Sequence, residues 1–219
     1  NNQANIPYEL LSIDVQNKIL NSGKLSLIKK PSLDKVCENE FDTFYDKYLV
    51  QIEHLIFDKN IVHNFSSELN IGYSALHGTG YYSTTLLFQK FGIDNVKYIS
   101  KMIHPDPLFP LFDSKQILDP SDSDTANVIV NEFVNQYSFE IFEQLDILCY
   151  TDPDADRLGV LVNVPNSEKS IYGNWKLLKA NDVWTLFLWY MLEFLLKNTD
   201  HRLSSLDNLF IVKNFVTTD

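Results

Sequence analysis

Residues 69–100 read LNIGYSALHGTGYYSTTLLFQKFGIDNVKYIS, and this stretch decides the fold class. An apolar strand over 70–76, a glycine-containing turn over 77–80, a helix over 81–91 and a second strand over 96–99 make a strand–helix–strand unit, whose two strands lie parallel. Downstream, a loop carrying Pro105, Pro107, Pro110 and Pro120 leads into a helix opened by Ser123 or Asp124 and carrying Val128, Ile129, Phe133 and Val134. A strand over 147–150, an acidic turn over 151–157 and a strand over 158–164 follow. Asn181 or Asp182 then caps an apolar helix over 183–196, and a strand restarts at 209–212 after the polar segment 197–207, a candidate domain boundary. Upstream, Phe41, Phe44, Tyr45, Tyr48, Leu49, Ile52, Leu55 and Ile56 recur at helical spacing and predict a helix over 42–57, preceded by a linker over 21–31. The alternation predicts an α/β fold: a three-layer, mostly parallel sheet with helices on both faces.

With 219 residues, 45% of them hydrophobic, the chain suffices for one substantial core. Its formal charge of −11 argues against nucleic acid or an anionic membrane as partner, so any phosphate must be held locally, by a metal or an isolated basic group. The two cysteines, Cys37 and Cys149, match no metal knuckle or disulfide framework and read as reduced thiols of a cytoplasmic protein. The apolar run 183–196 is too short for a membrane span, is interrupted by Glu193, and is expected to be a buried helix in which Trp184 and Trp189 pack. Neither end looks complete: no initiator Met opens the chain, and it stops just after a strand-like run.

The chemistry concentrates in Thr151-Asp152-Pro153-Asp154-Ala155-Asp156-Arg157, between two apolar strands. Three carboxylates at alternate positions repel unless a cation sits among them. Mg²⁺ suits the set, because it takes oxygen ligands and keeps positions open for water or phosphate oxygens. Arg157 adds a permanently charged fork suited to a phosphoryl group. A solvated acidic connection is the plainer alternative. A calcium loop fits worse, since Arg157 stands where such a loop needs Gly, Asn163 where it needs Glu, and strands flank it. His77-Gly78-Thr79-Gly80 lacks the Lys of a phosphate loop and reads rather as a turn whose glycines allow tight packing.

The run from Asp152 to Val160 resembles the metal loop of the α-D-phosphohexomutases, the phosphoglucomutase and phosphomannomutase family. The resemblance extends to Ala75-Leu76-His77-Gly78-Thr79-Gly80, to Pro105-Asp106-Pro107-Leu108-Phe109-Pro110, to Gly173-Asn174-Trp175 and to Ile211-Val212-Lys213. It implies that Asp152, Asp154 and Asp156 bind Mg²⁺ and that Arg157 contacts phosphate or substrate. It further implies that the chain covers the end of a first domain with its linker (1–30), a metal-binding second domain (31–200) and the start of a third (201–219). The family's phosphoserine loop, which supplies the fourth metal ligand, does not occur here, so the fragment alone is expected to be inactive. The intact enzyme would interconvert sugar 1-phosphate and sugar 6-phosphate through an enzyme phosphoserine and a sugar bisphosphate, with the remaining domains of the same polypeptide as partners. The family's Pro-Asn-Pro-Glu is absent from 113–120, and Ala180-Asn181 stands for its usual Gly-Asn. Two other readings stay open: a haloacid-dehalogenase-like phosphatase with Asp152 as nucleophile and Asp154 as acid, although Asp156 stands where Thr or Val belongs, and a non-catalytic metal or sugar-phosphate binding module.

Overall fold

A computed structural model describes residues 38–113, 118–197 and Val212. The expectations for 1–30 and for the strand at 209–212 fall outside the described residues, Val212 apart. The chain divides into two units, Asn1–Phe44 and Tyr45–Asp219. Of the first, the described residues are the opening turns of helix α1, Glu38–Glu53.

Helix α1 ends earlier than the periodicity predicts. The N–H groups of His54, Leu55 and Ile56 donate to carbonyls three residues back (3.2, 2.9 and 3.3 Å), which tightens and closes the last turn. A short helix the sequence reading missed follows, α2, Lys59–Phe65, capped by Asp58, whose Oδ1 accepts from the Asn60 and Ile61 N–H groups. Lys59 and Lys90 both pair with Glu53 (2.8 and 3.3 Å).

The strand–helix–strand unit forms as expected: β1, Ile71–Ser74; α3, Gly80–Lys90; β2, Val96–Tyr98. Helix α4, Ser123–Gln136, opens on Asp122, which accepts from the Asp124 N–H. A short α5, Phe139–Glu143, precedes β3, Ile147–Thr151; then come β4, Leu158–Asn163, a single-turn α6, Lys169–Tyr172, and β5, Trp175–Leu177. Helix α7 runs Ala180–Lys197, so Asn181 and Asp182 lie within it rather than capping it.

The sheet order is β2-β1-β3-β4-β5, with β1 parallel to both β2 and β3 and antiparallel pairing from β3 to β4 and from β4 to β5. Four of the five strands therefore point one way, and β4 runs against them. A parallel return would need a crossover of a dozen residues or so, and the six between β3 and β4 allow only a hairpin.

Both faces of the sheet are covered. Along β3, Leu148 and Tyr150 are fully buried on one face, where α4 presents Ala126, Ile129 and Phe133 at helical spacing. Gly72, beside Leu148 on that face, leaves room for Leu148, Leu145 and Phe133; a Cβ there would lie 2.6 Å from Leu148 Cδ1. On the other face Tyr73 meets Phe88 of α3 and Tyr98 of β2 edge-on. Cys149 lies on that side, only partly buried, and donates to the Gly72 carbonyl, and desolvation pushes its thiol up to about 12, which leaves it an unreactive thiol.

One expectation is reversed. Helix α7 has no buried residue, and Trp184 and Trp189 are 68% and 58% exposed. The sheet's faces are occupied by α3 and α4, so the described residues offer α7 no core to enter. Trp175 does pack, stacking on Phe142 with ring centroids 4.3 Å apart.

Candidate metal centre

Strands β1 and β3 are parallel neighbours, so the turn after β1 and the loop after β3 leave the same edge of the sheet. The chain leaves β1 toward β2 on one side and enters β3 on the other, which makes this the topological switch point, where open α/β sheets bind ligands. The acidic loop sits there.

Asp152, Asp154 and Asp156 come together: one carboxylate oxygen from each lies within 4.8 Å of the others. Asp152 is buried (1% exposed), while Asp154 and Asp156 are exposed. The loop is shaped by its own bonds. The Ala155 N–H donates to the Asp152 carbonyl (3.0 Å), Ala155 adopts φ +61°, and the Asp152 N–H donates to the Arg157 carbonyl (3.3 Å), closing the hairpin.

Arg157 folds back over Asp152. Its backbone N–H donates to Asp152 Oδ1 (2.9 Å) and its Nε to Oδ2 (2.8 Å), while Asp156 Oδ1 lies 3.7 Å from Nε. Burial pushes the Asp152 carboxyl up, but the N–H bonds and charge of Arg157 outweigh it and hold the group below its usual value. The Asp156 carboxyl is raised, by desolvation and by the facing charges of Asp154 and Asp152. A set of three oxygens carrying excess negative charge fits a hard divalent cation.

The turn after β1 braces this loop. The Thr79 N–H donates to the Pro153 carbonyl (2.8 Å), and the Thr79 hydroxyl reaches the same oxygen (3.2 Å). Gly78 lies so close that a Cβ would meet Pro153 Cα at 2.2 Å, and a Cβ on Gly80 would meet Thr151 Oγ1 at 2.5 Å. The glycines thus serve close packing, as the sequence suggests. His77 is buried at φ +58°, edge-on to Phe109 and Phe112, and neither ring nitrogen has a partner among the described residues.

Burial holds the His77 imidazole below its ordinary value, with the Asp106 charge offsetting part of the effect. As pH falls, the unfolded chain takes up this proton first, so His77 contributes stability that is present above about pH 6.5 and lost progressively below it. Urea midpoints measured at pH 7.5 and 5.5 should fall for the wild type. His77→Asn, a residue tolerant of positive φ, should flatten that difference; an equal fall in both proteins would place the titration elsewhere.

Sequence reasoning missed Asp119 and Ser121. Asp119 Oδ1 accepts from the Ser121 N–H and hydroxyl (2.9 and 2.7 Å), and Oδ2 faces Arg157 Nη1 at 3.5 Å. The available signal was Asp-Pro-Ser, a turn-forming triplet.

A family model described as phosphoglucomutase/phosphomannomutase, alpha/beta/alpha domain II, matches residues 46–165. The chain belongs to the phosphoglucomutase/phosphomannomutase family. Its acidic loop and the turn that braces it both lie within the matched residues. Glucose 1,6-bisphosphate synthase of Mus musculus is 25% identical over 88% of this chain and 27% of its own length. A phosphoglucomutase of Staphylococcus haemolyticus is 25% identical over 84% of this chain and 30% of its own, and a probable phosphomannomutase of Haemophilus influenzae is 28% identical over 57% and 22%. The chain thus spans between a fifth and a third of these family members. No solved structure matches it. Among the described residues, no helix is long and apolar enough to cross a membrane.

Proposed function

We propose that this chain is the Mg²⁺-holding domain of a phosphohexomutase, which moves phosphate between hydroxyls of one sugar by way of an enzyme phosphoserine and a sugar bisphosphate. The observation that carries the reading is the convergence of the Asp152, Asp154 and Asp156 oxygens at the sheet's switch point, with the Arg157 guanidinium beside them. These three aspartates would hold the ion. When bound, Mg²⁺ neutralises charge on transferring phosphoryl oxygens. Arg157, half-exposed, offers its remaining N–H groups to a phosphate of the substrate. The phosphorylated serine and the sugar-gripping groups belong to the remaining domains, so this piece alone is inactive. It acts in the cytoplasm, on a sugar phosphate, without nucleic acid or membrane.

An aspartyl-phosphate phosphatase suits the geometry less well. Asp152, its nucleophile, is buried and has both oxygens engaged by Arg157, which blunts attack on phosphorus.

Calorimetric titration of Mg²⁺, with Mn²⁺ as a spectroscopic check, tests the reading. Wild type should bind weakly, having three protein ligands. Losing outer partners of a metal site already costs about 10–100-fold in affinity, so Asp154→Asn, which removes a direct ligand, should weaken binding by at least about tenfold. Equal affinity in the two proteins would remove the metal site and leave the family assignment resting on the domain match.

A further inference from the structure

Asp119 lies on the loop before α4, distant in sequence from the acidic turn, yet it is built into that turn's surroundings. Its Oδ1 is fixed from two sides by Ser121, through the N–H at 2.9 Å and the hydroxyl at 2.7 Å, which leaves Oδ2 directed at Arg157 Nη1, 3.5 Å away. The Ser121 bonds hold the Asp119 carboxyl below its usual value, so it stays charged. The loop is anchored in turn to the strands that flank the acidic turn. The Pro120 carbonyl accepts from the buried Tyr150 hydroxyl of β3 (2.9 Å), and Gly159 of β4 comes so near that a Cβ would lie 2.6 Å from that oxygen.

Arg157 is therefore gripped at two points of its guanidinium plane, at Nε by Asp152 (2.8 Å) and at Nη1 by Asp119. Two contacts fix the orientation of the planar guanidinium; the Nε contact alone leaves it free to swing about the Cδ–Nε bond, and leaves no carboxylate contact at Nη1 to be broken when the hindered rotation about Nε–Cζ exchanges Nη1 with Nη2. Nη2 faces no carboxylate among the described residues. Arg157, Ser121, Trp184 and Phe187 line a cavity of about 380 Å³ between this loop and α7.

The geometry points to Asp119 as a positioning residue, oriented by Ser121, that sets the Arg157 guanidinium plane so that its unpaired N–H groups are presented to a phosphate group. The inference rests on the proposed role of Arg157 as a phosphate contact. Asp119 itself touches no substrate; it acts through Arg157.

Rotation about the Arg157 Nε–Cζ bond is measurable by nitrogen-15 exchange spectroscopy on the metal-free 219-residue chain. Asp119→Asn keeps the shape and removes the charge. It should speed rotation by about three- to fivefold, the size an exposed ion pair supports. Ser121→Ala should act in the same direction with a smaller effect, and Mg²⁺ affinity should stay within about twofold in both variants. Unchanged rotation in Asp119→Asn would overturn the proposal, whether or not the melting temperature fell, since a merely structural loop would lower only the latter. Unchanged rotation with a tenfold loss of Mg²⁺ affinity would make Asp119 part of the metal's surroundings instead, and would also overturn it. The metal reading is tested separately by Asp154→Asn: equal Mg²⁺ binding there removes the metal site without touching the rotation result, and unchanged rotation alongside an intact Asp154 effect removes this inference alone.

Discussion

Gly78→Ala should destabilise the protein by about 3 kcal/mol and weaken Mg²⁺ binding by more than about tenfold. The added Cβ meets the Cα, O and C atoms of Pro153 at 2.2, 2.3 and 2.6 Å, all backbone, so no side-chain rotation relieves the clash. The turn after β1 is itself tied down: the His77 N–H donates to the Met102 carbonyl (3.1 Å), and the Asp106 N–H to the His77 carbonyl (3.0 Å). Pro153 must therefore give way, and it lies between Asp152 and Asp154, two of the three proposed ligands. Moving it also breaks the two Thr79 bonds to its carbonyl. Gly173→Ala is the control. That glycine has φ +77° and ψ −170°, a region that L residues rarely enter, and nothing within 4 Å of an added Cβ, so the substitution should cost about 1–3 kcal/mol through backbone strain and leave Mg²⁺ binding unchanged. Urea unfolding and Mg²⁺ calorimetry on both variants decide it. Normal Mg²⁺ binding by the Gly78→Ala protein would show that the brace does not hold the loop in register.

The parts of this structure legible in the sequence are those dictated locally. The apolar strand over 147–150, the helix carrying Ile129 and Phe133, and the strand-loop-strand setting of the acidic turn are all properties of adjacent residues, and all form. The reversed direction of β4 was also implied, because strands over 147–150 and 158–164 leave too little chain for a crossover. Helix α5 and strand β5 are short enough that three to five residues show no usable period. Helix α7 misleads for a different reason. Its apolar run reads as a buried helix, but the faces of the sheet are taken by α3 and α4, so Trp184 and Trp189 stand exposed. At the site, the three aspartates are legible because they are consecutive alternates. Asp119 is not, because only the fold brings it to Arg157, from a distant loop of the sequence.

Asp152→Asn should cost about 2–3 kcal/mol and abolish Mg²⁺ binding. Two effects oppose each other. Removing one of three neighbouring carboxylates relieves repulsion, but Asp154 and Asp156 are exposed and their charges screened, so the gain is about 1 kcal/mol at most. Against this stand two charge-assisted bonds from Arg157 to a carboxylate that is 1% exposed, each about 1.5–3 kcal/mol. An amide keeps one acceptor oxygen and turns its own N–H₂ toward the Arg157 Nε, donor against donor. Arg157 is 52% exposed and can return to water, which keeps the loss below that of a fully buried pair. The expected fall in melting temperature is about 5–10 °C. Because the native Asp152 carboxyl is held below its usual value, its contribution is present above about pH 4 and is lost as the pH falls below that; Asp152→Asn should lack this acid-side loss. Mg²⁺ at ten times its dissociation constant should raise wild-type stability by about 1.4 kcal/mol and leave Asp152→Asn unmoved. If the variant melts like the wild type and still responds to Mg²⁺, Asp152 is neither the anchor of the loop nor a ligand, and the ion must be held by the exposed pair alone.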